Sequence, residues 1–487
     1  MAITRPARVP KRTRSPKRSV AAALACALVA TFGSSLSYAD VTFTPSVSAG
    51  VSWIDNIELT PPGQPADEEL LLELVPSFGL EYKSSRIAAE LFYQLTGLAH
   101  ANDSDRNQAY HEADGVVDLQ LVENLFSLEA GGTYFQRTVD PERPSNTSLV
   151  FDTNNLADVA TYRLTPKVRH EFRHALLDAS FTKAWANFVD EDPLQQVALE
   201  DADSEQAHVA LSSLEDDGGA FSWLLGYDRR RVLYDVSSDF VFENATAELG
   251  RRVSARIKVF GRGGVETDLA ADPTGESAGL DEGWWQVGAE WRVNRSNYFT
   301  FAIGERFFGR SIAAAWDREA RVLKLHVGYS EEPGTSAQEM ALRGRRTDPD
   351  AILVPGDDLS RISSDPYLRR AFDASVRLTG RRTQIELSAY QYRREYLASD
   401  LQDREREIGL AMQRQLSSLL TLDASFTHQE VELSSSGSFD QQRASIGLER
   451  RIGQRAYLSG QIARIERTSA IVPYEVNWAT LTFRKEF

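Results

Sequence analysis

Between Trp285 and Val293 every second residue is apolar: Trp285, Val287, Ala289, Trp291 and Val293 alternate with Gln286, Gly288, Glu290 and Arg292. Side chains of an extended strand point alternately to opposite faces, so this rhythm makes one greasy face and one wet face. The split recurs in Leu420, Leu422, Ala424 and Phe426 against Thr421, Asp423, Ser425 and Thr427, and again in Phe372, Ala374, Val376 and Leu378 against Asp373, Ser375, Arg377 and Thr379. A helix would need a period of 3.6, which these segments lack. The last stretch, Val476 to Phe487, ends on an aromatic residue. A chain built from such segments folds as a sheet with apolar side chains on one face throughout, which is the pattern of a transmembrane antiparallel up-and-down β-barrel.

Segments of about 10 to 16 residues place strands near 43–57, 69–83, 85–101, 108–123, 125–138, 157–172, 174–189, 200–215, 220–236, 239–253 and 254–269. The second half continues with 283–295, 297–310, 311–320, 321–332, 366–380, 383–396, 404–417, 418–432, 438–452, 454–468 and 474–487. The expected barrel is all-β with about 22 strands, within a range of about 18 to 24. Connections alternate in length. Short ones such as Lys83-Ser84-Ser85, Asn294 to Asn297 and Gly453-Gln454-Arg455 are expected as periplasmic turns; Leu59 to Glu68, Pro141 to Asn155, Glu191 to Glu200, Thr267 to Glu282 and Glu331 to Ser364 are expected as extracellular loops.

The first 39 residues read as an export signal. Arg5, Arg8, Lys11, Arg12, Arg14, Lys17 and Arg18 form a basic region, Val20 to Phe32 an apolar one, and Ser37-Tyr38-Ala39 supplies small residues for cleavage after Ala39. The expected division is therefore 1–39 signal peptide and 40–487 barrel, one domain. Taking those seven basic residues from 54 Lys+Arg leaves 47 against 70 Asp+Glu, a net charge of −23 for the exported part. That balance excludes a nucleic-acid partner, because phosphate binding needs a basic footprint. The chain's one Cys, Cys26, lies in the leader. Mean hydropathy is −0.36, a value that a barrel tolerates because only alternate residues meet lipid.

His170-Glu171-Phe172-Arg173-His174 matches the zinc-protease pattern H-E-x-x-H. Both imidazoles reach one ion only on a helix. In a strand, positions four apart are separated by ~13 Å at ~3.3 Å per residue. The segment reads as a strand running into a turn, and no catalytic residue, metal site or cofactor is expected. His100, His111, His208, His326 and His428 lack ligand spacing, and no G-x-S-x-G element is present. The expected chemistry is that of a water-filled lumen lined by Arg256, Lys258, Arg262, Arg292, Arg306, Lys324 and Arg377 together with Asp118, Glu129, Asp178, Glu290, Asp373, Glu386 and Asp423. Trp53, Trp185, Trp284, Trp285, Trp291 and Tyr329 are expected in interfacial aromatic girdles. The 331–364 connection carries Arg343, Arg345 and Arg346 beside Asp348 and Asp350 and is expected to fold over or into the mouth as a constriction.

The segment Trp284 to Ser336, with Phe307-Phe308-Gly309, Asp317-Arg318 and Tyr329-Ser330-Glu331 ahead of Thr335-Ser336, resembles the uncharacterised outer-membrane β-barrel proteins associated with the exosortase (PEP-CTERM) system of Gram-negative bacteria. Trp53-Ile54-Asp55-Asn56 and Tyr474-Glu475-Val476-Asn477 resemble that group's first and last strands, while Lys485 stands where an aromatic or aliphatic residue is commoner. The resemblance implies a porin-like outer-membrane conduit or platform for exopolysaccharide export. A general diffusion pore for small hydrophilic solutes and a closed barrel anchoring surface or sorting machinery are the alternatives. The partners it implies are outer-membrane lipid and lipopolysaccharide, the barrel-insertion machinery reading Phe487, exopolysaccharide and periplasmic export proteins.

Overall fold

A computed structural model describes residues 40–143, 151, 155–189, 200–214, 220–277, 279–342, 362–434 and 437–487. Residues 1–39, with the expected leader and its cleavage point, lie outside the described residues. The strands are β1 (Asp40–Ile54), β2 (Glu69–Lys83), β3 (Ile87–His100), β4 (Gln108–Val122), β5 (Phe126–Thr138), β6 (Leu156–Glu171), β7 (Ala175–Phe188) and β8 (Ala202–Ser213). There follow β9 (Phe221–Tyr234), β10 (Phe240–Ser254), β11 (Ile257–Glu266), β12 (Glu282–Asn294), β13 (Asn297–Arg306), β14 (Gly309–Ala320) and β15 (Leu323–Gly334). After a short helix α1 (Ser336–Leu342) come β16 (Tyr367–Thr379), β17 (Thr383–Tyr396), β18 (Gln402–Gln415), β19 (Leu420–Leu433), β20 (Gly437–Gly453), β21 (Ala456–Ser469) and β22 (Tyr474–Glu486).

Each strand pairs antiparallel with the next, and β22 returns onto β1 from Ile54↔Trp478 down to Ser46↔Glu486. Ser52 and Thr480 hydroxyls meet across that join at 2.8 Å. The 22-stranded sheet is thus a closed antiparallel barrel with no free edge, the one sheet form whose backbone polar groups are all satisfied in lipid. Outward positions carry Phe43, Val47, Val51 and Trp53 on β1, Trp285, Val287 and Trp291 on β12, and Leu387 on β17, all exposed. A continuous exposed apolar wall of this kind is costly in water and is satisfied by acyl chains, so the barrel spans a membrane.

The chain's described termini share one end with the two-residue turns 255–256, 295–296, 321–322 and 454–455, here the turn end. The opposite, loop end carries the long connections. Above the apolar wall, its outward face is ringed by ion pairs: Lys183–Glu205 at 2.9 Å, Arg370–Glu395 at 3.1 Å, Arg406–Glu430 at 2.7 Å and Arg464–Glu475 at 2.8 Å. Charges in those positions mark where the wall leaves lipid. The rim is lowest at β13–β14, where the expected strand 297–310 instead ends at Arg306; Phe307 and Phe308 make the turn, and Gly309 closes it at φ 89°.

Pairing is incomplete in two places at the loop end. The β4–β5 ladder stops at Ala113↔Tyr134 although both strands continue, and the β14–β15 ladder stops at Ala314↔Tyr329 in the same way. In each seam the residue two places past the last pair replaces the missing backbone bond with its side chain. Gln136 donates its amide to the His111 carbonyl at 2.9 Å, and Glu331 accepts the Ile312 N–H at 2.9 Å.

Candidate functional site: the inner face and its mouth

Because outward positions are apolar, the alternate residues of every strand form the inner face. In the ladders, Lys258 stands opposite Glu290, and its ammonium lies 3.1 Å from that carboxylate and 3.5 Å from Glu248. Tyr298 donates to the same Glu290 at 2.9 Å. With Arg292 and the turn residue Arg256 they border a cavity of about 480 Å³ at the turn end. Arg306 grips the fully buried Glu266 at 2.6 and 3.1 Å, while Phe307 N–H donates to the other oxygen at 3.0 Å. Arg377 and Glu386 face each other at 3.3 Å, and Lys324 stands opposite Arg377 in the neighbouring ladder. His326 bridges Asp317 at 2.6 Å and Asp373 at 2.9 Å. Asp423 accepts from Gln413 at 3.0 Å; Glu129 holds Lys167 at 2.6 Å and Arg163 at 3.2 Å. The inner face mixes both signs of charge, many of them paired, which keeps it wet without giving it one dominant sign.

Towards the loop end the inner face changes character. Buried apolar side chains join buried charges there, because two connections turn inward and pack on the wall. The first strap, the β5–β6 connection, leaves beside the β4/β5 seam. Its carbonyls of Pro141, Glu142 and Arg143 accept from the guanidinium of Arg467 on β21 at 2.8, 3.2 and 3.0 Å. Arg467 is almost wholly buried and stacks 3.7 Å above the Phe439 ring. Phe151 of the same strap meets Trp478 edge-on at 5.9 Å within a cluster that includes Ile54, Leu71, Leu98, Ile465 and Val476.

The second strap leaves beside the β14/β15 seam. It starts with α1, whose first free N–H groups are capped by Thr335, its hydroxyl accepting from Gln338 N–H at 3.2 Å. Met340 and Ala341 pack against Val139, Ala157, Val159, Ala184, Ala186 and Phe188 of the β5–β7 wall. Ala337 joins Ala202, Val232, Phe240, Phe242 and Leu269 from β8 to β11 and beyond. The opposite side of α1 is tied to the facing wall: Glu339 accepts from Arg394 on β17 at 2.7 Å and lies 3.7 Å from Arg369 on β16. The helix therefore bridges wall segments that are ten places apart in a ring of 22 strands.

A third connection covers the rim between β11 and β12. Partial burial would raise the Asp272 carboxyl, but hydrogen bonds from Ser277 and Gly275 backbone and from Thr274 outweigh it and hold the group below the usual carboxylate range. Gly275, at φ 69°, lies so close to the Val241 carbonyl that a Cβ would collide with it.

Trp284 does not belong to a girdle: it is buried on the inner face and donates its indole N–H to Asn244 at 3.0 Å, whereas Trp53, Trp285 and Trp291 are exposed on the outside. The expected 331–364 connection begins later, since β15 runs on to Gly334, and α1 follows. Arg343, Arg345 and Arg346 lie outside the described residues. His170 is outward near the end of β6 and contacts the Phe172 ring at 4.5 Å, while His174 falls in the turn, so the H-E-x-x-H spacing is extended rather than helical. Arg467, Glu266, Arg230, Arg369 and Arg394 were not singled out from sequence. All five sit on the polar side of their strands, but nothing local marks which polar residues will be covered by a strap.

The sequence matches no family model and no curated protein. The exosortase-associated resemblance therefore rests on the quoted strand patterns alone. Solved structures do match. A mutant of the ferric enterobactin receptor PfeA from Pseudomonas aeruginosa, in complex with enterobactin, is 9% identical over 92% of this chain and 82% of that one, with a TM-score of 0.50. The siderophore receptor PirA from Acinetobacter baumannii is 9% identical over 91% and 80%, with a TM-score of 0.47. A loop-deletion mutant of OmpT, an outer membrane protein of Vibrio cholerae, is 10% identical over 92% and 99%, with a TM-score of 0.33. At this identity the first likeness speaks for the barrel fold and for nothing finer.

Proposed function

We propose that the protein is an outer-membrane conduit for hydroxyl-rich polar chains, in the first instance an exopolysaccharide, with its turn end in the periplasm and its loop end outside. The observation that carries this reading is the contrast along the barrel axis: an inner face of mixed and largely paired charges below, and two inward-folded straps across the mouth above. Neutralised pairs present hydrogen-bonding groups to a passing polar chain without trapping it by net charge. A mouth crossed by straps favours a gated path over a general diffusion pore. It also keeps alive the alternative of a barrel that anchors other machinery with its lumen shut. Lipopolysaccharide would meet the ring of outward ion pairs, the insertion machinery would read Phe487, and export proteins would approach the short turns.

The test is removal of the gene from its natural host. Secreted polysaccharide should fall while its synthesis inside the envelope continues, and a copy lacking residues 336–364 should restore secretion and admit small hydrophilic solutes. Undiminished secretion in the deletion strain would contradict the export role.

A further inference from the structure

Below the second strap, the inner face of β9 to β15 encloses a cavity of about 300 Å³ that backs onto the β14/β15 seam. The cations around it are not all paired. Lys258, Arg306 and Arg377 each hold a carboxylate, but Arg262 and Arg230 have no carboxylate in ion-pair contact among the described residues. Arg262 donates its Nε to Gln286 at 2.8 Å, and Arg230 donates to the Pro333 carbonyl at 3.2 Å. Three acids line the same cavity: Asp228 holds His208 at 2.7 Å, Glu331 caps Ile312, and Glu332 is exposed with no cation in ion-pair contact among the described residues. In a chain with 70 acidic residues against 54 basic ones, two guanidinium groups without an ion-pair partner, set against one such carboxylate in the same cavity, are an arrangement that asks for an anion.

The remaining lining narrows the anion's chemistry. Trp284 brings its ring to the lining, Phe242 is buried beneath Arg230, and Gln286, Asn244 and Ser311 offer amides and a hydroxyl. Gln286 is already aligned, donating to Ser311 at 2.9 Å while accepting from Arg262. An aromatic face suits the apolar side of a sugar ring, amides suit its hydroxyls, and a planar guanidinium fork suits a carboxylate. The volume is at the small end for ligand sites and holds a short saccharide rather than a large chelate. We infer that this cavity binds a uronic-acid unit of an acidic saccharide, with Arg262 and Arg230 on the carboxylate and Trp284 beneath the ring. The inference rests on the conduit reading above and adds to it that the permeant is acidic and pauses at a stepping site under the strap.

The experiment is calorimetric titration of the full barrel in detergent with a glucuronate disaccharide, with cellobiose as its neutral counterpart and with inorganic phosphate. The acidic disaccharide should bind at least about tenfold more tightly than either, and Arg262→Gln and Arg230→Gln should each weaken it about tenfold. Trp284→Phe should weaken it by a smaller factor, and Lys485→Gln, far away at the turn end, should leave it unchanged. Heat-modifiable gel mobility shows that each variant still forms the barrel. Equal binding of cellobiose would overturn the inference, as would equal binding of phosphate, unaltered affinity in both arginine variants, or no binding at all. Conductance of the same preparation separates the two proposals: a barrel that conducts but ignores the acidic sugar loses the site alone, whereas one that stays shut with its straps removed loses the conduit.

Discussion

The two straps cross the same mouth from nearly opposite walls, yet they are fastened by different physics. Each begins beside a seam where the sheet stops pairing, and each seam is bridged by one side chain two residues past the last ladder pair. From there they diverge. The first strap has Phe151 in an apolar cluster but is distinguished by one buried guanidinium donating to three of its backbone carbonyls, a fixed polar clamp with Phe439 stacked behind it. The second is held by Met340 and Ala341 in an apolar socket and by the Glu339–Arg394 pair on its far side. Backbone carbonyls present the same acceptors whatever the side chains, so the first clamp is insensitive to the strap's own sequence. An apolar socket with one ion pair depends on it and releases more readily. The second strap therefore has the character of a gate and the first that of a fixed lintel.

Variants that loosen one strap but not the other test that contrast. Met340→Asp puts a carboxylate into the socket and should cost at the upper end of the ~2–5 kcal/mol that emptying such a site costs. Hydrogen exchange in α1 should rise to that of a free peptide while residues 139–143 stay protected; joint loosening would show that the straps are one unit. Arg467→Met leaves three carbonyls without their charged donor and should cost about 3 kcal/mol. Limited proteolysis should then cut in the first strap and leave the second intact. Glu339→Gln removes one charge from a partly exposed pair and should cost no more than about 1 kcal/mol. Its effect should appear as more frequent opening events, with unchanged thermal unfolding of the barrel. The smallest effect concerns the seam itself. With Cys26 as the chain's single cysteine, paired cysteines introduced in the wall are easily read. Trp316→Cys with Val327→Cys, opposite each other in the ladder, should form a disulfide on oxidation, whereas Ile312→Cys with Glu331→Cys should not. A disulfide at the second pair would mean the seam is closed.

The barrel wall was legible in the chain because the rhythm that lipid demands is written locally. The alternation around Trp285 and Leu420 placed strands to within a few residues, and the alternating connection lengths oriented them. Trp284 was misplaced although the same rhythm exposes it: it precedes Gln286, Gly288 and Glu290 on the wet face, so its parity outweighs its being a tryptophan near a strand end. The straps were not legible. Arg467 looks like any lumen-facing residue until Pro141 to Arg143 are folded over it, and that contact joins residues 324 to 326 positions apart. The seams are silent for a similar reason, since Ser330 to Gly334 keep strand geometry against β16 whether or not β14 lies beside them.

The central claim is that a wet lumen is barred by two inward straps, and single-channel conductance in planar bilayers tests it directly. The native barrel should show low conductance with brief openings, and the barrel carrying both Met340→Asp and Arg467→Met should show a large, steady, weakly ion-selective conductance. Equal conductance in the two proteins, whether high or low, would contradict it.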